Sequence, residues 1–229
     1  MKFSIIIPTL NEELIIESAL TRLQNLRPAC EIIIADGGST DATIDLAASY
    51  ADQVISSPQG RALQMNAGAS HASGDVLIFL HVDTVLPDKA LALIEQSLSN
   101  THSWGRFDIR LSGRHPMFRL IALMMNWRSR LTGIATGDQV IFVSKQAFSG
   151  VGQYPEISLM EDIALGKALN KISPPVCLGA KVTSSSRRWE RNGIFQTIAL
   201  MWIIRLLYFF GADPDVLAQL YAKGRIWKR

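Results

Sequence analysis

The chain has 229 residues, 48% of them apolar, and its formal net charge is +3 with a pI near 9.0. This length suits one α/β domain, or one domain with an appendage, and allows a sizeable core. The mild positive charge is compatible with an anionic ligand or an acidic membrane surface, but it argues against a nucleic-acid-binding protein. Two cysteines, Cys30 and Cys177, cannot build a disulfide framework or a metal knuckle. Pro8 interrupts the short apolar run at the N-terminus, so we expect no signal peptide and a cytoplasmic protein.

The first hundred residues alternate between predicted strands and predicted helices. Apolar, β-branched runs predict strands at 3–8, 31–36 and 75–83, with a shorter strand at 53–57. Helices are predicted at 12–26, within 37–51, at 60–72 and at 87–98, where the last is opened by Pro87. In the first helix, the predicted buried stripe consists of Leu14, Ile15, Ala19, Leu20, Leu23 and Leu26. This alternation predicts right-handed crossovers and a mostly parallel sheet covered by helices.

The second half of the sequence is less regular. Residues 104–113 alternate between polar and apolar and predict a strand, and residues 116–131 predict an amphipathic helix with basic residues at intervals. A strand leading into a short helix is predicted at 139–148, and a helix at 159–170.

Polar side chains follow the predicted strands at the point where each strand ends. They are Thr9, Asn11 and Glu12 after the first strand, Asp36 with Gly37 and Gly38 at the second, and His81 and Asp83 at the fourth. Because ligands bind beyond the carboxyl ends of parallel strands, we expect these groups to lie along one edge of the sheet. The glycines allow close backbone approach to a ligand. The sequence contains neither G-x-G-x-x-G nor G-x-x-x-x-G-K-[ST], which disfavours a Rossmann dehydrogenase and a P-loop NTPase.

Four segments, in this order, resemble the successive motifs of the family 2 glycosyltransferases, which have the GT-A fold: "SIIIPTLNE", "IIIADGGSTDAT", "GRALQMNAGASHASGDVLIFLHVDT" and "MEDIAL". The resemblance is strongest to a small bacterial subgroup with "LHxDT" at the metal site and a late "SRRWE", and it covers roughly residues 3 to 193. It implies a GT-A-like α/β domain over 1–193 with a C-terminal helical extension over 194–229. It also implies an inverting enzyme that moves a sugar from a nucleotide-diphosphate sugar to an acceptor hydroxyl with help from Mn²⁺ or Mg²⁺.

The resemblance also implies a role for individual residues. Asp162 would be the general base, and Asp83, with or without His81, would hold the divalent cation. The nucleotide-sugar site would contain Pro8, Thr9, Glu12, Asp36, Gly37, Arg61, His81 and Val82. The side facing the donor sugar and acceptor would contain Gly137, Asp138, Gln139, Glu161, Arg188 and Trp189.

One position departs from the family pattern. The usual metal motif is D-x-D, whereas this chain has His81, Val82 and Asp83. Imidazole is compatible with Mn²⁺ and suits Mg²⁺ poorly, so His81 either binds the metal or contacts phosphate or ribose.

Ordinary structural roles remain open for several of these residues. Asp36 is also a typical helix-capping residue, and Glu12, Glu161 and Asp162 are acids of a kind that favours a first helical turn. Arg61 suits a solvated helix surface, and Asp138 and Gln139 suit a turn. Trp189 suits simple packing. Asn66 is predicted to be structural, with hydrogen bonds to backbone near the fourth strand.

The segment at 194–210 is apolar on nearly every face, but it is 17 residues long and contains Arg205. A membrane crossing needs roughly 20 residues and disfavours a central arginine. The alternatives are a helix buried against the domain, a helix at a membrane interface aided by Trp202, Tyr208 and the basic end, or a homodimer surface. If the predicted helix at 116–131 joins this segment in an apolar acceptor site, a lipid-linked or membrane-proximal acceptor would follow. The interface alternative implies a location at the inner face of a membrane.

Two further functions remain open from the sequence. One is a nucleotidyltransferase of similar build, although "PTLNEE" has neither the glycine-rich loop nor the basic residue common in that class. The other is a non-catalytic nucleotide-sugar-binding or membrane-scaffold protein, which the missing first carboxylate favours.

Overall fold

A computed structural model describes residues 1–99 and 101–224. The seven strands are β1 (Phe3–Thr9), β2 (Cys30–Asp36), β3 (Gln53–Ser56), β4 (Val76–Phe79), β5 (Trp104–Leu111), β6 (Ile141–Ser144) and β7 (Val176–Ser184). The α-helices are α1 (Ile16–Leu23), α2 (Thr43–Ala48), α3 (Arg61–His71), α4 (Ala90–Ser97), α5 (Pro116–Thr132), α6 (Lys145–Gly150), α7 (Glu161–Asn170), α8 (Arg187–Asn192), α9 (Ile194–Phe209) and α10 (Pro214–Lys223). Short 3₁₀ helices span Gln24–Leu26 and Gly137–Gln139.

The strands form one sheet in the order β3-β2-β1-β4-β6-β5-β7. Strand β1 pairs in parallel with β2 and β4, and β2 pairs in parallel with β3. Strand β6 runs antiparallel between β4 and β5, whereas β7 is parallel to β5. The predicted mostly parallel α/β sheet is therefore confirmed, with one reversed strand near its centre.

The core lies on both faces of the sheet because successive residues of a strand point to opposite sides. On β1, Ile5 and Ile7 belong to the cluster on one face and Ile6 to the cluster on the other. All three are fully buried, as expected for the continuous apolar run of a central parallel strand.

Several predicted boundaries were wrong. The helix predicted from residue 12 begins at Ile16, and Leu14 is 90% exposed instead of lying on the buried stripe. The strand predicted at 75–83 ends at Phe79, so His81 and Asp83 lie in the turn beyond it, where the Thr84 amide donates to the His81 carbonyl at 3.0 Å. Strand β7 was not predicted, because its sequence lacks the continuous apolar run of the other buried strands.

The C-terminal helices pack on the rest of the chain through one face only. Leu200 and Ile204 of α9 and Leu217 of α10 are buried against a segment that includes Leu159 and Met160. The opposite face of α9 is exposed, with Phe195, Trp202 and Phe209 all at least 66% accessible. Within the described ranges, no helix is both long and apolar enough to cross a membrane.

Candidate active site

A cavity of about 870 Å³ opens at the carboxyl ends of β1 and β4. Turns after these strands form one side, and the N-terminal ends of α3 and α7 contribute to it. Helices α5, α8 and α9 form the other side, and Tyr221 of α10 also reaches it. Segments that are far apart in the sequence therefore meet at the sheet edge that the strand-end polar residues predicted.

Most of the predicted site residues line this cavity. They are Pro8, Thr9, Glu12, Arg61, His81, Val82, Asp83, Gly137, Asp138, Glu161, Asp162, Arg188 and Trp189. Three others, Asp36, Gly37 and Gln139, do not line it. Gln139 is fully buried and completes a capping box with Thr136, so its side chain supports the loop from behind.

Asp36 lies just behind the cavity wall and organises the loop after β2. Its carboxylate accepts hydrogen bonds from the amides of Gly38 and Ser39 at 2.8 and 2.7 Å, and from the hydroxyls of Ser39 and Thr9. Burial raises the pKa of Asp36, but these hydrogen bonds outweigh burial and lower it overall. The alternative in which Asp36 caps the following helix is wrong, because α2 begins at Thr43 and has no side-chain cap. The contacts of Asp36 hold the loop before α2, and its hydrogen bond with Thr9 connects it to the cavity wall.

Gln64 ties the ends of β1 and β2 together and was not singled out from the sequence. Its amide donates to the carbonyls of Thr9 and Ala35, both at 2.8 Å. A Cβ atom at Gly37 would lie 3.1 Å from the Gln64 amide, so a glycine keeps this connection uncrowded. Nothing in the sequence pattern distinguishes Gln64 from an ordinary polar helix residue.

His81 packs between Gly137 and Asp138. Its Nδ1 lies 3.6 Å from the Asp138 carboxylate, and its ring would be 2.7 Å from a Cβ atom at position 137. Glycine at 137 is therefore needed for the imidazole to sit against the 3₁₀ turn.

Asp83 lies on the same side of the cavity, with its side chain 31% exposed and 3.5 Å from the Arg187 guanidinium. Glu12 is close to both Asp83 and Arg187. Burial has the largest influence and raises the pKa of Glu12, the charge of Asp83 raises it further, and the charge of Arg187 opposes the shift. This side of the cavity therefore carries three acids, Glu12, Asp83 and Asp138, with one exposed arginine beside them.

Glu161 and Asp162 begin α7 at the inner end of the cavity. Glu161 is 3% exposed and lies 3.5 Å from the Arg61 guanidinium. Asp162 accepts hydrogen bonds from the amides of Gly137 at 2.9 Å and Ile163 at 2.7 Å, which fix both carboxylate oxygens. Burial raises the pKa of Asp162 above its ordinary value despite these bonds. A fixed carboxylate with a raised pKa in a cleft has the properties of a general base.

Two strained residues flank the acidic groups. Val140, directly after the Gly137–Gln139 turn, has φ of 54°, and Met160, directly before Glu161, has φ of 71°. Residues other than glycine rarely adopt positive φ, and a β-branched residue such as valine is a genuine outlier there. Each such backbone conformation costs about 1–3 kcal/mol. Such strain is concentrated at functional sites, and here it sets the direction of both loops that hold Asp138 and Asp162.

The donor set fits a divalent cation only if a ligand completes the coordination. In residues 1–99 and 101–224, no three His, Cys, Asp or Glu side chains form a group able to hold a metal ion. Asp83, with His81 two residues before it, supplies one carboxylate and one imidazole. Mg²⁺ commonly takes one or two carboxylates together with substrate phosphates and waters, and Mn²⁺ also accepts imidazole. Asp83 and His81 therefore fit a cation shared with a phosphate compound.

The mixed sheet, with a large cavity at the carboxyl ends of its strands, places the protein in the GT-A class of α/β folds. This structure superposes with a TM-score of 0.64 on a solved structure of glucosyl-3-phosphoglycerate synthase from Mycobacterium tuberculosis, in complex with Mn²⁺, UDP and glucosyl-3-phosphoglycerate. The synthase is 19% identical to this chain and matches 90% of this chain and 79% of that one. The predicted GT-A-like fold is confirmed.

The family follows from the sequence comparison. The model of "Glycosyl transferase family 2" matches residues 4–148, and the chain therefore belongs to that family. The predicted membership of family 2 is confirmed. The match ends before "MEDIAL" and "SRRWE", so the subgroup stays a prediction.

Two curated relatives match part of the chain. A PGL/p-HBAD biosynthesis glycosyltransferase of Mycobacterium bovis is 38% identical over 94 residues, which cover 37% of this chain and 36% of the relative. An undecaprenyl-phosphate 4-deoxy-4-formamido-L-arabinose transferase of Salmonella choleraesuis is 33% identical over 155 residues, which cover 60% of this chain and 46% of the relative. The matches thus span less than half of each relative's length.

Sequence reasoning missed two cavity arginines, Arg128 of α5 and Arg205 of α9. Arg205 interrupts an apolar segment, and a charged residue in such a setting indicates a polar site as well as arguing against a membrane crossing. Arg128 has no comparable signal, since the helix around it carries basic residues on several sides.

Proposed function

We propose that the protein is an inverting glycosyltransferase that uses a nucleotide-diphosphate sugar and a divalent cation. The observation that carries the proposal is the placement of Asp83 and Asp162 in one cavity at the carboxyl edge of the sheet. The two acids come from distant segments, and the cavity between them is large enough for a nucleotide sugar.

Asp162 is the proposed base. Its carboxylate takes the proton of an acceptor hydroxyl while the hydroxyl oxygen forms a bond to the anomeric carbon of the donor sugar. The bond from that carbon to the diphosphate oxygen breaks, and its electron pair leaves with the diphosphate. A single displacement of this kind inverts the anomeric configuration.

Asp83 and His81 are the proposed protein contacts of the cation, beside the donor diphosphate. A bound Mn²⁺ or Mg²⁺ would neutralise charge on the leaving diphosphate as a Lewis acid. The Mn²⁺ and UDP in the mycobacterial synthase structure support a ligand pair of this kind. On the nucleotide side we place Pro8, Thr9, Glu12 and Arg61, and Asp36 acts there through Thr9. Gly37 and Gln139 support the loops, and Trp189 lies on the acceptor side.

We also propose that residues 1–193 form the catalytic unit and that the extension from residue 194 completes the cavity wall. The contribution of α9 to the cavity lining supports this division. The exposed apolar face of α9 supports peripheral contact with a membrane or a second copy of the chain. The basic end at 225–229, which the sequence also connected with a membrane, lies outside the described residues.

The test is a thermal-shift screen of nucleoside diphosphates and sugar nucleotides, with and without Mn²⁺. A ligand at 100 times its dissociation constant should stabilise the protein by about 2.7 kcal/mol. We expect stabilisation by one nucleotide series that depends on Mn²⁺. We also expect that dependence to be lost in Asp83→Asn and kept in the control Asp88→Asn, which changes an exposed acid outside the cavity.

Two other results are informative. Stabilisation by nucleoside triphosphates in place of diphosphates would favour the nucleotidyltransferase alternative. Metal-independent binding of a sugar nucleotide without any turnover would favour the non-catalytic binding protein. If no nucleotide stabilises the protein, the proposed function is wrong.

A further inference from the structure

Three arginines that line the cavity have buried nitrogen atoms without a hydrogen-bond partner in the described part of the chain. They are Arg128, at Nε and Nη2, and Arg188 and Arg205, each at Nε. None of the three pairs with a carboxylate among the described residues. Arg188 is partly satisfied, because it stacks 3.5 Å above the Tyr221 ring and donates to the Tyr221 carbonyl at 2.8 Å.

The three arginines are half-buried, and their buried N–H groups are costly unless a partner compensates them. A guanidinium stays charged in proteins and carries five donors, so its buried N–H groups need acceptors. Burial lowers the pKa of Arg128, even though the charge of Asp162 opposes the shift. An apolar residue of similar size would avoid this cost, so the arrangement indicates that an anion supplies the missing acceptors.

The surroundings of Arg128 and Arg205 are apolar. The same walls of the cavity carry Met124 and Trp127 on α5 and Met201 and Trp202 on α9. Trp127 and Trp202 are 65% and 66% exposed, so the apolar lining continues onto the outer surface. The compartment therefore combines unpaired cationic groups inside with an apolar rim.

The donor diphosphate is a poorer match for these arginines. The part of the cavity nearest the strand ends carries Glu12, Asp83 and Asp138, where a diphosphate needs a cation to offset the acids. Arg128 and Arg205 come from α5 and α9 instead. Their planar guanidinium groups suit a phosphate that binds without a metal.

We propose that Arg128 and Arg205, with Arg188 between the two sides, bind the phosphate group of the acceptor, and that the apolar rim holds its hydrocarbon part. This inference rests on the proposed function, because it names the class of acceptor at the same site. A phosphate group of this kind is found both on lipid carriers and on small soluble metabolites. The apolar rim favours the lipid source.

The test titrates the protein, without nucleotide or metal, with octyl phosphate, inorganic phosphate and octyl glucoside, and follows binding by calorimetry. We expect octyl phosphate to bind and the neutral octyl glucoside to bind at least 10-fold more weakly. Binding of octyl phosphate alone assigns a lipid-type acceptor, and equal binding of inorganic phosphate assigns a soluble one. Equal binding of octyl glucoside, or no binding of octyl phosphate, overturns the proposal.

Variants separate this site from the donor site. Arg128→Gln and Arg205→Gln should each weaken octyl phosphate binding about 10-fold, as expected for loss of a charge-assisted hydrogen bond. Arg119→Gln, an exposed arginine of the same helix outside this cavity, should leave binding unchanged. The Mn²⁺-dependent shift with nucleotides should be unchanged in all three. If that shift is lost in Arg128→Gln and Arg205→Gln, the arginines serve the donor and the proposal is wrong.

The unliganded variants give a second readout. Because the two arginines have unpaired buried groups, Arg128→Gln and Arg205→Gln should melt at or above the wild-type temperature. A fall in melting temperature of both variants would show a structural role instead and would overturn the inference. Failure of nucleotide binding in the wild type, with octyl phosphate binding intact, would instead count against the proposed function.

Discussion

Helix α5 separates two groups of charged residues, one paired and one unpaired, that use the same residue types. On its sheet side, Arg106 of β5 is fully buried and donates to the Ser129 hydroxyl, the Asn126 carbonyl and the Asp108 carboxylate. Arg130 donates to both oxygens of the same carboxylate at 2.6 and 2.9 Å. On its cavity side, Arg128 has unpartnered nitrogens and faces the compartment that holds Asp162.

The two carboxylates differ accordingly. Burial alone would raise the pKa of Asp108, but the hydrogen bonds from Arg130 and Arg106 lower it overall. Burial raises the pKa of Asp162, and no arginine donates to it among the described residues. A fully satisfied charge network is typical of a structural site, whereas unpaired charges and perturbed pKa values are concentrated at functional sites.

The largest effect is expected on the cavity side. Asp162→Asn should reduce turnover about 10²- to 10⁴-fold, the range for loss of a general base, and should retain Mn²⁺-dependent nucleotide binding. The measurement is release of nucleoside diphosphate from the donor that the screen identifies. Because burial raises the pKa of Asp162, wild-type turnover should fall with decreasing pH at a pH above 3.8, the ordinary pKa of an aspartate.

Glu156→Gln is the matched control for this change, since Glu156 is an exposed acid six residues earlier, outside the cavity. Turnover of Asp162→Asn equal to that of the control would remove Asp162 as the base. It would also remove the contrast between a catalytic carboxylate and the structural carboxylate of Asp108.

The next effect is expected on the sheet side. Arg106→Met should lower the free energy of unfolding by about 3–5 kcal/mol, because it breaks a buried ion pair from one side. Urea denaturation measures the loss, with Arg128→Met as the comparison on the other side of the helix. We expect no comparable loss there, because Arg128 has no partner to leave behind. An equal loss of unfolding free energy in Arg106→Met and Arg128→Met would contradict the distinction between the paired and the unpaired arginine.

The pH dependence of the free energy of unfolding gives a second test with the same variant. The folded-state pKa of Asp108 lies below the ordinary 3.8, so its contribution to stability is present above that value and is lost as the pH falls through the folded-state pKa. Removal of Arg106 brings the folded-state pKa closer to the unfolded one. The acid-dependent loss of stability should therefore be smaller in Arg106→Met than in the wild type.

The smallest effect tests how firmly the cavity loops are held. Gly137→Ala places a Cβ atom 2.7 Å from the His81 ring, and overpacking of this kind costs about 1–3 kcal/mol. Gly150→Ala is the control, because nothing lies within 4 Å of a Cβ atom there. We expect thermal melting to fall in the first variant only. Equal melting temperatures would mean that His81 moves freely.

The sequence predicted the parts of the site that follow directly from strands. Thr9 and Asp83 come just after apolar runs, and parallel strands bring their carboxyl ends to one edge, so their convergence follows from local pattern and topology. It also predicted that Asn66 is structural: the side chain exchanges hydrogen bonds with the Tyr154 backbone at 2.9 and 3.0 Å.

Other parts needed the folded chain. Asp36 and Thr9 share a hydrogen bond across β1 and β2, and of the two only Thr9 lines the cavity. The sequence also could not predict that Arg130 pairs with Asp108 while Arg128 faces the cavity, because two basic residues two positions apart on one helix look alike in a sequence.

The amino-acid sequence was enough to assign the family, which its motifs carry. It was also enough to predict a core on both faces of the sheet with polar residues at the strand ends, because continuous apolar strands are buried on both sides. The tertiary structure alone decided which charges are paired. Pairing depends on distances of a few ångströms between segments far apart in the chain, and local propensity carries no information about them. For the same reason, only the folded chain showed that Arg128 of α5 and Arg205 of α9 line the same cavity.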